Sequence, residues 1–447
     1  MSGNKKYNYP KQLSIFRFLL KAESIRKNPI PFHKKYFDKF GDTFSLKIGK
    51  TKHVILSRDN EVAEYILQKN QKNYQKSELQ TKFISKYLGK GLLTANGDFW
   101  LKQRRLIQPA FHKQKMNQLV QNMNQTIIAE LQNLPEDKLV ALFPIMNQLA
   151  FNVVAKSLFH ILIEEEMSRL KIIINDVQNF LIKEIRLPYK AFWFKISGQI
   201  KKHQKLALET DTIIQKIVEE RINSNAKHND LLDMLLETRY EDIGEAMPTQ
   251  QLIDEIKILF IAGHETSANA MTFTLHLLGN HPEIQQKVFE ELIAIQSQTN
   301  DVVEQLQEMT YTNAVINESM RLYPPAWITD RENIEDDTLL GFHIKEKTLI
   351  GVSFYELHRN PKYWKNPSDF NPERFLGEQK KESNKYFYPF GVGPRMCIGL
   401  GFAMYEMSLT LSYIIKKYKV TSSKKDIDIN PLITLKPVGA VVTFSKR

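Results

Sequence analysis

Phe390-Gly391-Val392-Gly393-Pro394-Arg395-Met396-Cys397-Ile398-Gly399 is the stretch on which the reading of this 447-residue chain turns. Two glycines and a proline make a tight loop. The loop delivers Cys397, the single cysteine of the chain, to the start of an apolar-periodic helix. A thiolate at such a place is stabilised by the helix N-terminal dipole and by free backbone N–H groups. That is the environment an anionic sulfur ligand needs. Arg395 can set a guanidinium against an acidic group on the same ligand-bearing molecule. Gly399 removes a side chain, so a flat molecule can lie close to the helix start, and Phe390 can cover the sulfur from water. The plain alternative is a buried, inert cysteine behind a glycine-rich turn. Five such fixed residues, at background frequencies of about one in twenty, arise by chance in a chain of this length roughly once in ten thousand.

Working outward, one cysteine permits no intramolecular disulfide, which excludes a disulfide-stapled secreted scaffold and fits a reducing, cytoplasmic setting. Hydrophobic residues are 42% and charged residues 25%, close to a globular average, so disorder is excluded for the bulk of the chain. Mean hydropathy is -0.37. No run of about 18 apolar residues occurs, so an integral membrane segment is not expected. The 62 Lys+Arg against 50 Asp+Glu give +12, which favours acidic partners: nucleic acid, an anionic membrane surface or an acidic protein. Leu13 to Leu20 is apolar but short and is interrupted by Arg17. It lacks the cleavage site of a signal peptide. It reads as an amphipathic turn packing on the domain, with a weak membrane-surface contact as the alternative.

The pattern predicts a mainly α chain with small β-sheets in one domain, 1–447. Thr43 to Gly49 and His53 to Ser57 alternate around a Gly-Lys-Thr-Lys turn, a hairpin signal. Pro144 to Leu158, Ile163 to Ile182 and Leu206 to Ile222 carry apolar residues at helical spacing, Pro144 falling in a first turn. A long apolar helix runs from about Thr249 to Gly279, interrupted by the polar run Ala262-Gly263-His264-Glu265-Thr266-Ser267. The last helix spans about Ile398 to Lys417, and Ile433 to Phe444 reads as a closing hairpin.

The cysteine loop resembles the haem-binding loop of the cytochrome P450 family, the haem-thiolate monooxygenases. The resemblance implies that family's fold, with a long central helix over the haem, and makes Cys397 the axial ligand of the iron of haem b. Further segments match in the expected order. Glu318-Ser319-Met320-Arg321, followed by Pro324-Pro325, and Pro372-Glu373-Arg374-Phe375 resemble the family's buried network of Glu318, Arg321 and Arg374, which holds the cysteine loop. Ala262 to Ser267 is similar to its oxygen-activating segment. There the small Ala262 and Gly263 open a groove, Thr266 hydrogen-bonds bound dioxygen and Glu265 relays protons to it. Trp100-Leu101-Lys102-Gln103-Arg104 resembles a Trp-x-x-x-Arg pair whose donors meet a haem propionate. Arg104, Arg331 and Arg395 are the implied propionate cations. His358-Arg359-Asn360-Pro361 resembles a segment of structural role.

The resemblance implies a monooxygenase using O2, with two electrons from NAD(P)H through a separate ferredoxin and ferredoxin reductase, or a flavodoxin. No fused reductase is expected after the last hairpin, and a monomer is expected. Lys380, Lys381, Lys385 and Arg395 suit an acidic electron carrier, or are simply a solvated basic loop. For a small-molecule substrate the implied lining is Phe83, Tyr87, Leu92, Leu259, Trp327 and Val438, mostly apolar; Gln80, Lys82, Ser85 and Lys86 offer polar contacts. Fatty acid, terpenoid and small polar ether all remain open as substrates. The Lys-, Asn- and Ile-rich character is also similar to marine bacterial members that demethylate 6-O-methyl-galactose and release formaldehyde. Two other functions compete: an H2O2-driven peroxygenase, whose members usually carry Arg-Pro in place of the acid–alcohol pair, and a basic module binding nucleic acid or membrane. No nucleic-acid motif supports the last.

Overall fold

Thr249–Asn280 is the longest helix among the residues described by a computed structural model, which covers 7–48, 52–224 and 226–447. It is apolar nearly all round, so it is buried nearly all round. The polar run Ala262 to Ser267 interrupts the apolar pattern and not the helix, which runs unbroken through the motif. Its glycine serves packing. A Cβ at Gly263 would stand 3.1 Å from Val154 Cγ2, so the missing side chain lets the helix close on Val154.

The chain folds as two compact units. The larger holds Glu78–Ile316, Ile398–Asp428 and Pro437–Arg447. In it the central helix packs on Leu142–Val153, whose first turn contains Pro144 and which a π-helical turn, Val154–Leu158, continues. Glu164–Arg186 packs on Gln199–Ser224. The latter begins seven residues before the first apolar signal at Leu206, because Gln199 to Lys205 is largely polar and carries little periodicity. The last helix is Leu400–Lys417. Tyr418–Ser422, Val441–Lys446 and Val140–Ala141 form a three-stranded sheet.

The closing hairpin is not formed. Leu435–Val438 pairs with Asp428–Pro431, whereas Val441–Lys446 joins the three-stranded sheet. Gly439, at φ +72°, turns the chain between the two pairings. Val442 and Phe444 then bury completely, Phe444 with its ring 5.9 Å from that of Tyr418.

The smaller unit holds the chain up to Ser77, Asn317–Cys397 and Ile429–Lys436. Its six-stranded sheet has the order Gln12–Leu13, Thr43–Ile48, Lys52–Ser57, Leu349–Ser353, Ile328–Asn333, Tyr74–Gln75. The expected hairpin pairs antiparallel from Thr43↔Ser57 to Ile48↔Lys52; its turn residues 49–51 lie outside the described residues. Leu13 is buried, but the helix Ile15–Leu20 buries no residue, so the expected packing of that turn holds only at its first position and at half-buried Phe18. No described helix is long and apolar enough to cross a membrane.

Two buried carboxylates mark the polar interior. Glu318, fully buried, takes four donors: Arg321 Nε at 2.7 Å, Arg321 Nη2 at 2.8 Å, the Asn371 amide at 2.9 Å and Arg374 Nε at 3.3 Å. Glu406, on the last helix, is fully buried; burial pushes its carboxyl up to about 8, and Ser267 offsets this only in part. Arg321→Met strips Glu318 of its main counter-charge and should cost about 3–5 kcal/mol; urea unfolding of the full chain reads the loss, and an unchanged midpoint contradicts it. Folded Glu406 keeps a proton that the unfolded chain releases, so its contribution is fully present below about pH 4.5, declines towards pH 8 and is flat above. Glu406→Gln should remove that slope. Thermal midpoints from about pH 5 to about pH 9 should therefore converge on or fall below the variant's as pH rises, and two parallel curves would contradict the assignment.

Candidate active site

In the smaller unit the cysteine loop is built by three short backbone bonds. Gly391 N–H donates to the Tyr388 carbonyl at 3.0 Å, Met396 N–H to Gly393 at 3.0 Å and Cys397 N–H to Phe390 at 2.9 Å. Gly391 and Gly393 sit at φ +73° and +75°, where side chains are strained. A Cβ at Gly393 would also fall 2.1 Å from the Leu67 carbonyl oxygen, so the loop can rest on that backbone only with glycine there. Cys397 is exposed, Phe390 half-buried, and Gly399 is the N-cap of the last helix.

What holds this loop is traceable atom by atom. Arg321, fully buried, donates to the carbonyls of His358 and Pro367, both at 2.8 Å, and of Asp369 at 3.0 Å, in addition to Glu318. Its guanidinium also lies 5.1 Å from the Trp364 ring. His358 then accepts the Tyr388 N–H at Nε2, 2.9 Å away. Burial, with the charges of Arg321 and Arg359 second, holds His358 well below the usual histidine range, so it is neutral and able to accept. The Tyr388 hydroxyl has two acceptors within reach of its one proton, Asn60 Oδ1 at 2.8 Å and the Lys385 carbonyl at 2.7 Å. The structural role expected of the His358 segment is therefore specific: it is the joint between Arg321 and the loop.

Arg331 and Arg395 are brought together in this unit. Burial pushes Arg331 down to about 10. Burial first, and the Arg331 charge second, push Arg395 down to about 10. Arg331 Nη1 donates to neutral oxygens, Thr329 Oγ1 at 3.2 Å and the Asp330 carbonyl at 2.6 Å. Two guanidiniums out of water and in each other's field suit an anionic group. This donor set, with an exposed thiol on a glycine-shaped loop, fits a haem with its propionates.

In the larger unit, Trp100 is buried on the helix Gly97–Ile107, and half-buried Arg104 donates from Nε to Gln108 Oε1 at 3.3 Å. Ala262 is exposed and Thr266, one turn on, is half-buried, on a helix otherwise largely enclosed. Thr266 Oγ1 donates to the Ala262 carbonyl at 2.8 Å. Glu265 is buried beside it. His264 is turned to the interior, its ring centre 5.6 Å from Phe151.

The expected lining residues separate. Leu259 is buried and Leu92 half-buried, whereas Phe83 and Val438 are exposed. Tyr87 is a structural anchor: fully buried, it donates to Glu184 Oε2 at 2.7 Å, and Lys86 Nζ meets Oε1 at 2.7 Å. Trp327, in the smaller unit, donates from its indole to the Leu432 carbonyl at 3.0 Å and stacks 5.9 Å from His33. Among the basic residues expected to meet a carrier, Lys381 and Lys385 are paired with Glu378 and Glu382, which weakens that patch.

Sequence reading missed the clamp on the segment preceding Leu92. Asp254 Oδ2 accepts the Lys90 N–H at 2.9 Å and Glu255 Oε2 that of Leu92 at 3.1 Å. A Cβ at Gly89 would lie 2.1 Å from the Asp254 carboxylate, and one at Gly91 2.6 Å from that of Glu255. The Gly-x-Gly spacing of 89–91 was the available signal. Glu406 was visible too, as one acid in an apolar-periodic helix.

Comparison with known proteins agrees with this geometry. The family profile described as Cytochrome P450 matches residues 8–444. A cyclooctat-9-en-7-ol 5-monooxygenase of Streptomyces melanosporofaciens is 28% identical over 85% of this chain and 83% of its own. A pentalenene oxygenase of Streptomyces avermitilis is 28% identical over 92% of this chain and 91% of its own. The chloroplastic protein LUTEIN DEFICIENT 5 of Arabidopsis thaliana is 29% identical over 87% of this chain and 69% of its own. With a glycine-shaped cysteine loop fixed by a buried arginine, and a profile match over nearly its whole length, the chain belongs to the cytochrome P450 family of haem-thiolate monooxygenases.

Proposed function

We propose that this monooxygenase hydroxylates an apolar, terpenoid-like small molecule, within one family fold that takes its electrons from a separate ferredoxin or flavodoxin system. The observation that carries the substrate class is that polar groups expected to reach substrate are engaged elsewhere: Lys82 with Glu78, the Ser85 hydroxyl with the Thr81 carbonyl and Lys86 with Glu184. Leu92 and Leu259 offer no side-chain polarity. The names of the two Streptomyces relatives support the same class. Demethylation of 6-O-methyl-galactose is the competing reading. It asks for several donors and acceptors matched to sugar hydroxyls, and the named lining supplies few.

One oxygen atom of O2 enters a substrate C–H bond and the other leaves as water, consuming two electrons and two protons, chemistry the haem supplies when bound. This chain's own residues take the following roles in the proposal. Cys397 provides the thiolate ligand, held in place through His358 and Tyr388. Arg331 and Arg395, with Trp100 and Arg104, hold the propionates, and Phe390 and Gly399 shape the cofactor's surroundings. Thr266 Oγ1 can turn from the Ala262 carbonyl to donate towards O2, and Glu265 passes it protons. The Ala262 carbonyl keeps the hydroxyl satisfied before O2 arrives.

Substrate-induced spin-state shifts across a panel of cyclic terpenes, fatty acids and 6-O-methyl-galactose test the class. The terpenes should shift the haem at concentrations at least about tenfold lower than the sugar. Formaldehyde release from the sugar, with no terpene product, would overturn the proposal in favour of demethylation. Thr266→Ala tests the proton path separately. NAD(P)H oxidation should continue while product per NAD(P)H falls about tenfold or more; unchanged coupling would remove Thr266 from its role.

A further inference from the structure

Glu255, Leu259, Ala262 and Thr266 stand at the i, i+4, i+7 and i+11 positions of the central helix, on one face about 60° wide. Ala262 and Thr266 supply its accessible part and Leu259 is a lining residue of the proposal above, whereas Glu255 is fully buried. Its carboxylate is committed to the segment that leads to Leu92. Oε2 accepts the Leu92 N–H at 3.1 Å, and Oε1 accepts from Gln251 Nε2 at 3.0 Å, which also donates to the Lys90 carbonyl at 2.7 Å. One residue earlier, Asp254 Oδ2 accepts the Lys90 N–H at 2.9 Å. The segment also closes on itself. Thr94 Oγ1 donates to the Gly89 carbonyl at 2.8 Å and accepts the Gly91 N–H at 3.0 Å, and the Ala95 N–H reaches the Gly91 carbonyl at 2.9 Å. It therefore docks on the helix as one piece. Asp254 is in turn held by a buried cation: its Oδ1 faces Lys257 Nζ at 3.4 Å, and Lys257 also pairs with Asp211 on Gln199–Ser224. One ammonium shared by two carboxylates out of water keeps both in place, because losing either contact leaves a charge unpaired.

We propose that Glu255 is a positioning residue for the reaction: it fixes the segment 89–92, and Leu92 with it, at a set distance along the helix from Thr266, and so decides which carbon of the substrate is oxidised. Eleven residues of unbroken helix separate Glu255 from Thr266, about 16 Å at roughly 1.5 Å per residue. Leu92 is thus registered against the helix that carries Thr266 through a rigid element and not through a loop. Two features set this apart from ordinary packing. The carboxylates bond backbone N–H groups, so they fix the path of the chain whatever side chains it carries. Both also meet glycines: an added Cβ would stand 2.6 Å from Glu255 Oε2 at position 91 and 2.1 Å from Asp254 Cγ at position 89. A single methyl group would lift the segment from its seat. The inference rests on Leu92 as a lining residue, as proposed above, and is independent of the class of substrate.

The experiment uses the holoenzyme with a ferredoxin and ferredoxin reductase, and whichever of the terpenes, fatty acids or 6-O-methyl-galactose the parent oxidises. Oxidation of the sugar alone would overturn the terpenoid class and leave this test intact. Glu255→Leu removes the acceptor of the Leu92 N–H. Gly91→Ala displaces the same segment without altering an acid; Gly91 has no positive φ, so the new methyl group meets the Glu255 carboxylate first. Both variants should change the ratio of regioisomeric products by about threefold or more, and raise the half-saturating concentration of the substrate-induced spin-state shift about tenfold. Glu255→Gln keeps the shape and one acceptor and should stay within about twofold of the parent in both readouts. The thiolate–haem band with carbon monoxide identifies the variants that fold, and Gly91→Ala decides alone if Glu255→Leu does not. An unchanged product ratio in the folded variants, with only the thermal midpoint lowered, overturns the proposal and leaves the clamp a support of the fold. So does a Glu255→Gln variant that shifts the products as far as Glu255→Leu, since the acceptor would then not be what sets the position.

Discussion

The smaller unit depends on one guanidinium. Arg321 is fully buried and every one of its five N–H bonds has a protein oxygen to meet: two on Glu318, and one each on the carbonyls of His358, Pro367 and Asp369. A buried charge is tolerable only on such terms. The arrangement ties a helix end to three separate points of the following loops. From His358 it reaches Tyr388, and from Tyr388 the backbone of the cysteine loop. The placement of the sulfur is thus set by a chain of hydrogen bonds that contains no reacting atom, and a neutral His358 is its joint.

The two glycines in the loop complete the constraint from the other side. At Gly393 the neighbouring backbone oxygen excludes even a methyl group. A thiolate ligand needs a loop of fixed shape, because its reactivity depends on access and on the dipoles aimed at it. On the central helix a different economy holds. Gly263 serves packing against Val154, while Ala262 and Thr266 supply the accessible face, so the small residues of that motif divide between two tasks.

Much of this was legible in the sequence, and the reason is locality. Cys397, Gly393 and Arg395 fall within five residues, and Glu318 and Arg321 within one helical turn, so pattern and spacing carry their meaning. The central helix was readable to within one residue because its apolar periodicity is long. The parts that were not legible depend on distant partners. Nothing local reveals that Tyr87 and Trp327, both suited to a pocket wall, find hydrogen-bond partners 97 and 105 residues away. The closing hairpin failed for the same reason: two adjacent alternating runs chose partners elsewhere in the chain, Tyr418–Ser422 and Asp428–Pro431. Polar helix ends, such as Gln199 to Lys205, hide from any reading based on apolar spacing.

The sulfur of Cys397 is the atom on which the whole account stands, and reduced protein exposed to carbon monoxide reports directly on it. The parent should show the red-shifted absorption of a thiolate-ligated haem, and Cys397→Ser should lose that band. A band typical of histidine ligation in the parent, or a thiolate band that survives in Cys397→Ser, would contradict the account.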